Sequence, residues 1–338
     1  MNNQLWCYLL CSCLLLLPAC EPRQQLFQQP ILQFGTVIDI TLIHDDINQV
    51  EQAFTDIEKQ LQQHRNYWHA WEASDLHQFN QSLTSSKFIA IPESLAELIS
   101  LSQTYYLSSQ RLFNPALGKL IAAYGFHADS VADEALIANI QKNLPDMQDL
   151  VVNKQMATIT NPNLQLDFGG IAKGYSIAKI ADWLKMQGFQ NFLINAGGDV
   201  LVSGQRFDKP WTIAIQNPFA PGAIASIQLS GDHQLFTSGN YRRFYQKQDE
   251  IVHHIIDPRS GRPSSYISSA TVLTKNAVLA DVAATTLMID GWQNHASLTE
   301  SLGVSDYLII NQAMQIIVSR PLSDKLEWMI DSKQIVVD

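Results

Sequence analysis

Beyond residue 20 the chain contains no cysteine. All four cysteines of the 338-residue sequence (Cys7, Cys11, Cys13 and Cys20) fall in its first twenty positions, which removes disulfides and thiolate metal sites from the body of the protein. Basic residues are scarce too: 22 Lys and Arg stand against 32 Asp and Glu, a net charge of −10. That balance argues against a general nucleic-acid binder, which needs clustered cations. Charge blocks, low-complexity tracts and internal repeats are missing. So are a dinucleotide-binding G-x-G-x-x-G, a P-loop, a Ser-His-Asp signature and a metallopeptidase signature.

The apolar run Leu9–Ala19 is short for a membrane span and right for a signal-peptide core. It ends in Leu17-Pro18-Ala19-Cys20, the pattern of a bacterial lipobox in which Cys20 is acylated and becomes the new N-terminus. An ordinary secretory signal cut after a small residue is the alternative. Placement of one cysteine where the box needs it favours lipidation. The first twenty-two residues carry no Lys or Arg, so the α-amino group alone supplies positive charge there. The expected organisation is a lipoprotein signal peptide over 1–19, a polar tether over 20–30 and one domain over 31–338.

Within that domain, Ile31 to Ile43 reads as strand interrupted at Gly35-Thr36. Ile47, Val50, Phe54, Ile57 and Leu61 recur at steps of three and four and predict one apolar helical face. Pro92 suits the first position of a helix running to about Ser108, and Phe113 to Tyr124 looks helical. A short strand over Leu164–Phe168, a Gly169-Gly170 break, a helix stopped by Gly188, and a strand over Phe192–Asn195 follow. Short alternating strands dominate beyond Trp211, with helices over about Val278–Met288 and after Trp292. Helices and strands are mixed and no linker divides them, so a single α+β domain with mixed sheets is expected.

Three segments carry chemistry. In Leu166-Asp167-Phe168-Gly169-Gly170-Ile171-Ala172-Lys173-Gly174-Tyr175, a glycine pair before a helix start lets backbone approach a ligand, and the helix N-terminus with Lys173 favours phosphate. A tight turn with a solvated lysine explains the same letters. In Ala280-Asp281-Val282-Ala283-Ala284-Thr285, two oxygens four residues apart project from one helical face and suit a hard cation such as Mg²⁺. Spacing alone favours the simpler reading, with Asp281 in a first helical turn and Thr285 bonded back to a carbonyl. In His253-His254-Ile255-Ile256-Asp257-Pro258-Arg259-Ser260-Gly261-Arg262-Pro263, imidazole, carboxylate and guanidinium gather on a Pro/Gly turn, as in an active-site loop; a hydrogen-bonded core or surface histidine is the alternative. Upstream, Thr237-Ser238-Gly239-Asn240-Tyr241 adds hydroxyls and flexible backbone.

Taken in order, Asp167–Tyr175, Asn195–Asp199, Thr237–Tyr241, His254–Pro263 and Ala280–Thr285 resemble the FAD:protein FMN transferase family, the ApbE-type flavin transferases. The resemblance implies an ApbE-like fold and Mg²⁺ held by the side chains of Asp281 and Thr285 with the backbone carbonyl of Gly170. It implies FAD contacts from Asp167 and Lys173, and from Phe34, Trp71, Leu112, Phe113, Asn114 and Ile256. Lys173, Asp281 and His254 become the implied catalytic residues, His254 as general base or as the group orienting a hydroxyl. Asn114 and Asn240 stand where aspartate is common in the family; an amide can hydrogen-bond but cannot act as a base. The implied reaction cleaves FAD and attaches FMN to a Thr or Ser of a target protein, releasing AMP. Implied targets include flavin-bearing subunits of the Na⁺-translocating NADH:quinone reductase and of the Rnf complex, met at the periplasmic face of a membrane. An Mg²⁺-dependent FAD pyrophosphatase and a non-catalytic flavin-binding lipoprotein are the alternatives.

Overall fold

The structure, a computed structural model, describes residues 23–126, 132–241, 244–247 and 250–338. The expected signal segment over 1–19 and Cys20 lie outside the described residues. Nine strands form the main sheet: β1 (Gln25–Gln33), β2 (Thr36–His44), β3 (Asn191–Ala196), β4 (Asp199–Ser203), β5 (His233–Gly239), β6 (Ile267–Thr274), β7 (Asp306–Asn311), β8 (Ile316–Val318) and β9 (Ile335–Val337). They lie in that order across the sheet, antiparallel throughout except for the β8–β9 pair. The helices that bear on the argument are α1 (Ile47–Trp68), α2 (Asp75–Ser82), α3 (Glu93–Ser108), α4 (Ala172–Met186) and α5 (Ala277–Leu302). The α+β expectation is met.

Alternation along β2 decides the layering. Ile38, Ile40 and Leu42 point to one face and pack with Val50, Phe54, Ile57 and Leu61 of α1 and Ile177, Ala181 and Leu184 of α4. Ile43, on the other face, joins a core shared with a three-stranded sheet formed by Trp211–Gln216, Ala223–Leu229 and Leu326–Trp328. Helices therefore cover one face of the main sheet and a small sheet covers the other. Capping follows the sequence: Asp46 accepts from Asn48 N and Gln49 N at the start of α1, and Asn276 accepts from Leu279 N at the start of α5. Backbone at Asp290 and Asn294 leaves the helical region, so α5 is two helices joined at a kink, close to the two expected from sequence. No helix among the described residues is long and apolar enough to cross a membrane.

Four expectations need correction. The tether was expected to reach residue 30, yet Gln25–Gln29 are already paired with Ile40–His44. Glutamines dominate that stretch, which hides the strand from hydrophobic patterning. Pro92 is the N-cap of α3, which begins at Glu93. The helix expected from Phe113 starts only at Gly118 and ends at Ala123. Finally, Leu164–Phe168 is not a strand; its one bridge joins Gln165 to Leu117.

The reason for the last lies in a side chain. Asn80 accepts from Leu166 N at 2.9 Å and donates to Leu166 O at 2.9 Å, taking the place of a neighbouring strand. Asn80→Ala would leave both groups of fully buried Leu166 without these partners. We expect a loss of about 2–4 kcal/mol, read as a lower urea midpoint; an unchanged midpoint would show that the segment finds other support.

Candidate active site

The Leu164–Phe168 segment leads into the glycine pair at the floor of a cleft of about 700 Å³. Asp167 Oδ1 accepts from Gly169 N at 2.7 Å, closing the turn. Helix α4 follows with no side-chain cap, and its first residues, Ala172 and Lys173, border the cleft. The positive end of the helix dipole there attracts phosphate oxygens. Helix α5 crosses α4 at Gly174, where a Cβ would stand 2.4 Å from Ala277 O and 2.8 Å from Asp281 Cβ. Only glycine admits that approach, and it lets Asp281 Oδ2 accept from Gly174 N at 2.8 Å.

Asp281 is 4 % exposed and sits beyond the first turn of α5. Its other oxygen is 3.5 Å from Lys173 Nζ. Thr285 does not bond back to a carbonyl in the way the simpler sequence reading allowed; its neighbour Thr286 does so, to Val282 O at 2.8 Å. Thr285 Oγ1 instead meets Ser238 Oγ at 3.4 Å. A Cβ built on Gly170 would come within 3.4 Å of the same oxygen, so the glycine loop abuts Thr285. Asp281, Thr285 and Gly170 thus share one corner of the cleft.

Whether that corner fits Mg²⁺ can be tested on its donors. Among the described residues no group of three or more His, Cys, Asp or Glu could hold a metal, which argues against a zinc-type site or a carboxylate cage. One carboxylate, one hydroxyl and nearby backbone carbonyls are all hard oxygen donors. They suit an ion that takes its remaining ligands from phosphate and water, as Mg²⁺ does. The donor set fits.

The expected residues converge on this cleft. Phe34, Trp71, Leu112, Phe113, Asn114, Asp167, Gly170, Lys173, His254, Ile256, Asp281 and Thr285 all border it. Phe34 turns the chain between β1 and β2 with φ +54°. Asn114 has its amide engaged in the wall, donating to Pro145 O at 3.0 Å and accepting from Ala116 N at 3.1 Å. His254 is half-buried, with its ring edge-on to Phe126 at 6.4 Å. His253, 1 % exposed, does not border the cleft; burial, then the charge of His254, lowers its pKa to about 4. The loop after His254 is fixed by Arg259, which joins Asp257 to Asp290 at the α5 kink.

Sequence reading missed three groups. Asp199, 3 % exposed, ion-pairs with Lys173 and accepts from Thr237 N at 3.0 Å. It follows the Gly197-Gly198 hairpin, whose φ values of 60° and 98° call for glycine. Ser238 lies at the end of β5 beside Thr285. The Asn195–Asp199 and Thr237–Tyr241 motifs contained both signals, but nothing in their spacing assigned a role. Trp68 also borders the cleft, stacked on His64 at 4.5 Å. His64 is paired with Ser176 at 2.7 Å, and burial, with a smaller push from Lys179, lowers its pKa to about 4.

A helix start, a lysine held between buried carboxylates and a corner of hard oxygen donors meet in one cleft on an α+β scaffold. The ApbE family model matches residues 34–308, and the chain belongs to that family. A Rhodobacter capsulatus protein named FAD:protein FMN transferase is 31 % identical over 298 residues, covering 87 % of this chain and 57 % of its own length. This chain therefore spans little more than half of that relative. A Vibrio cholerae protein of the same name is 28 % identical over 315 residues, covering 90 % of this chain and 93 % of its own. The crystal structure of the ApbE protein from Thermotoga maritima superposes with a TM-score of 0.80 at 22 % identity, over 89 % of this chain and 99 % of that one, and so shares the fold.

Proposed function

We propose that the protein transfers the FMN half of FAD to a threonine or serine hydroxyl of another protein, releasing AMP, with Mg²⁺ as the required ion. The observation that carries this reading is the meeting of Asp281, Thr285 and Gly170 with Lys173 and His254 around one cleft. The names of the relatives support the same reaction.

Asp281, Thr285 and the carbonyl of Gly170 would hold Mg²⁺, which when bound neutralises pyrophosphate charge and makes the phosphorus more electrophilic. The start of α4 and Lys173 bind the pyrophosphate, and Lys173 stabilises charge that grows as the P–O bond to AMP breaks. Asp199 keeps that ammonium in place. His254 accepts the proton of the acceptor hydroxyl as its oxygen bonds to the FMN-side phosphorus. Phe34, Trp71, Leu112, Phe113 and Ile256 line the cleft with apolar surface that excludes water. Water exclusion favours transfer over hydrolysis.

The test incubates enzyme, FAD and Mg²⁺ with a flavin-bearing subunit of the Na⁺-translocating NADH:quinone reductase or of the Rnf complex. Covalent flavin fluorescence on the acceptor in a denaturing gel is the expected product. Free FMN without labelled protein would make the protein an FAD pyrophosphatase, and unchanged FAD would make it a binding module.

The lipobox at Leu17–Cys20 supports a lipid anchor at Cys20 on the periplasmic face of a membrane. Cys20→Ser is expected to move the protein from the membrane to the soluble fraction with its transferase activity retained, because the residues assigned to the reaction, from Phe34 to Thr285, all lie in the body of the chain. Unchanged fractionation would count against lipidation.

A further inference from the structure

The wall that carries Trp71 is a short connector between α1 and α2, and side chains bind it together. His69 Nδ1 accepts from Glu72 N at 2.9 Å and from Trp71 N at 3.3 Å. Ser74, the N-cap of α2, accepts from His77 N at 3.0 Å and donates back to His69 O at 2.5 Å. Arg65, on the last turn of α1, pairs with Glu72, whose carboxylate also lies 3.8 Å from His69 Nε2. Without His69, the backbone N–H groups of Trp71 and Glu72 would lose these acceptors. Connectors of this length usually owe their shape to backbone turns, whereas here one imidazole sets it.

We infer that His69 is a positioning residue for the flavin end of the cleft: its Nδ1 lone pair fixes the connector that presents Trp71. The inference rests on the reading of Trp71 as a flavin contact. Both accepted bonds require Nδ1 without a proton, so the working form of His69 carries its hydrogen on Nε2, toward Glu72. An acceptor oxygen on a side chain of similar reach can serve the same two N–H groups, as asparagine does in helix caps. An aliphatic side chain cannot.

The experiment compares full-length wild type with His69→Ala, His69→Asn and Trp71→Ala, measuring FAD and ADP affinity by calorimetry in the presence of Mg²⁺. ADP carries the pyrophosphate and adenosine but no isoalloxazine, so it reports the rest of the cleft. His69→Ala is expected to weaken FAD binding about tenfold while ADP affinity stays within about twofold, and His69→Asn is expected to restore most of the loss. Equal weakening of FAD and ADP by His69→Ala, or failure of His69→Asn to restore binding, would overturn the inference in favour of a general structural role. Wild-type FAD affinity in His69→Ala would also overturn it. Wild-type FAD affinity in Trp71→Ala would instead remove the flavin-wall reading itself.

Discussion

Asp281→Ala is expected to reduce FMN transfer to below about one-thousandth of the wild-type rate while the protein remains folded. The magnitude follows from two losses at one point. The proposed carboxylate donor for Mg²⁺ is removed, and pyrophosphate charge would then stand uncompensated in a site where such stabilisation is worth several powers of ten. Lys173 also loses one of its two carboxylate neighbours. A structural cost accompanies these, because Gly174 N donates to Asp281 Oδ2 within the α4–α5 contact. Asp281→Asn separates the effects: its amide oxygen can still accept from Gly174 N, so thermal stability should recover, but it brings no negative charge to the ion. In-gel flavin fluorescence across an Mg²⁺ titration gives the rate, and thermal unfolding gives the fold. Wild-type transfer by Asp281→Ala at limiting Mg²⁺ would show that the ion sits elsewhere.

His254→Ala is expected to slow covalent transfer by about 10²–10⁴-fold with little change in FAD affinity. Its place at the cleft, together with the burial of His253, singles out one imidazole of the pair for contact with the acceptor. A group that takes a proton as the bond forms contributes mainly to the rate, whereas a binding contact contributes mainly to affinity. Flavin fluorescence on binding and covalent labelling should be measured in parallel. Equal labelling by both proteins would leave Lys173 and the ion as the principal catalytic groups. Loss of FAD binding alone would make His254 a flavin contact.

Several parts of this site were readable from the chain because the chemistry is local. A glycine pair before a lysine-bearing helix, two oxygens four residues apart, and a histidine on a Pro/Gly turn each announce themselves within a dozen residues. What could not be read is how they are assembled. Asp199 comes to Lys173 from a neighbouring strand, and its partnership exists only after β4 and α4 are laid against each other. Thr285 could have been a satisfied helix residue; Ser238, arriving on β5, shows it turned toward the cleft. The same limit explains the misread Leu164–Phe168 segment. Gln165 and Asp167 bond the backbone of 115–118, but the partner of Leu166 between them is the amide of Asn80, a side chain 86 positions away. Strand β1 was half hidden for the opposite reason. Its glutamines form a sheet edge without supplying an apolar rhythm.

That edge strand also measures a distance. Nine extended residues at ~3.3 Å each span roughly 25–30 Å, with Gln25 at one end and the Phe34–Gly35 turn, on the rim of the cleft, at the other. With a lipid on Cys20, the five Cα-to-Cα steps from it to Gln25 could add at most about 17 Å to that reach. Standing upright on such an anchor, the strand would hold the reaction centre some 25–45 Å above the bilayer, as a mast of fixed length. Acceptor hydroxyls that project to that height would be within reach of an upright enzyme, whereas a hydroxyl flush with the headgroups would require the whole domain to lie over on its side.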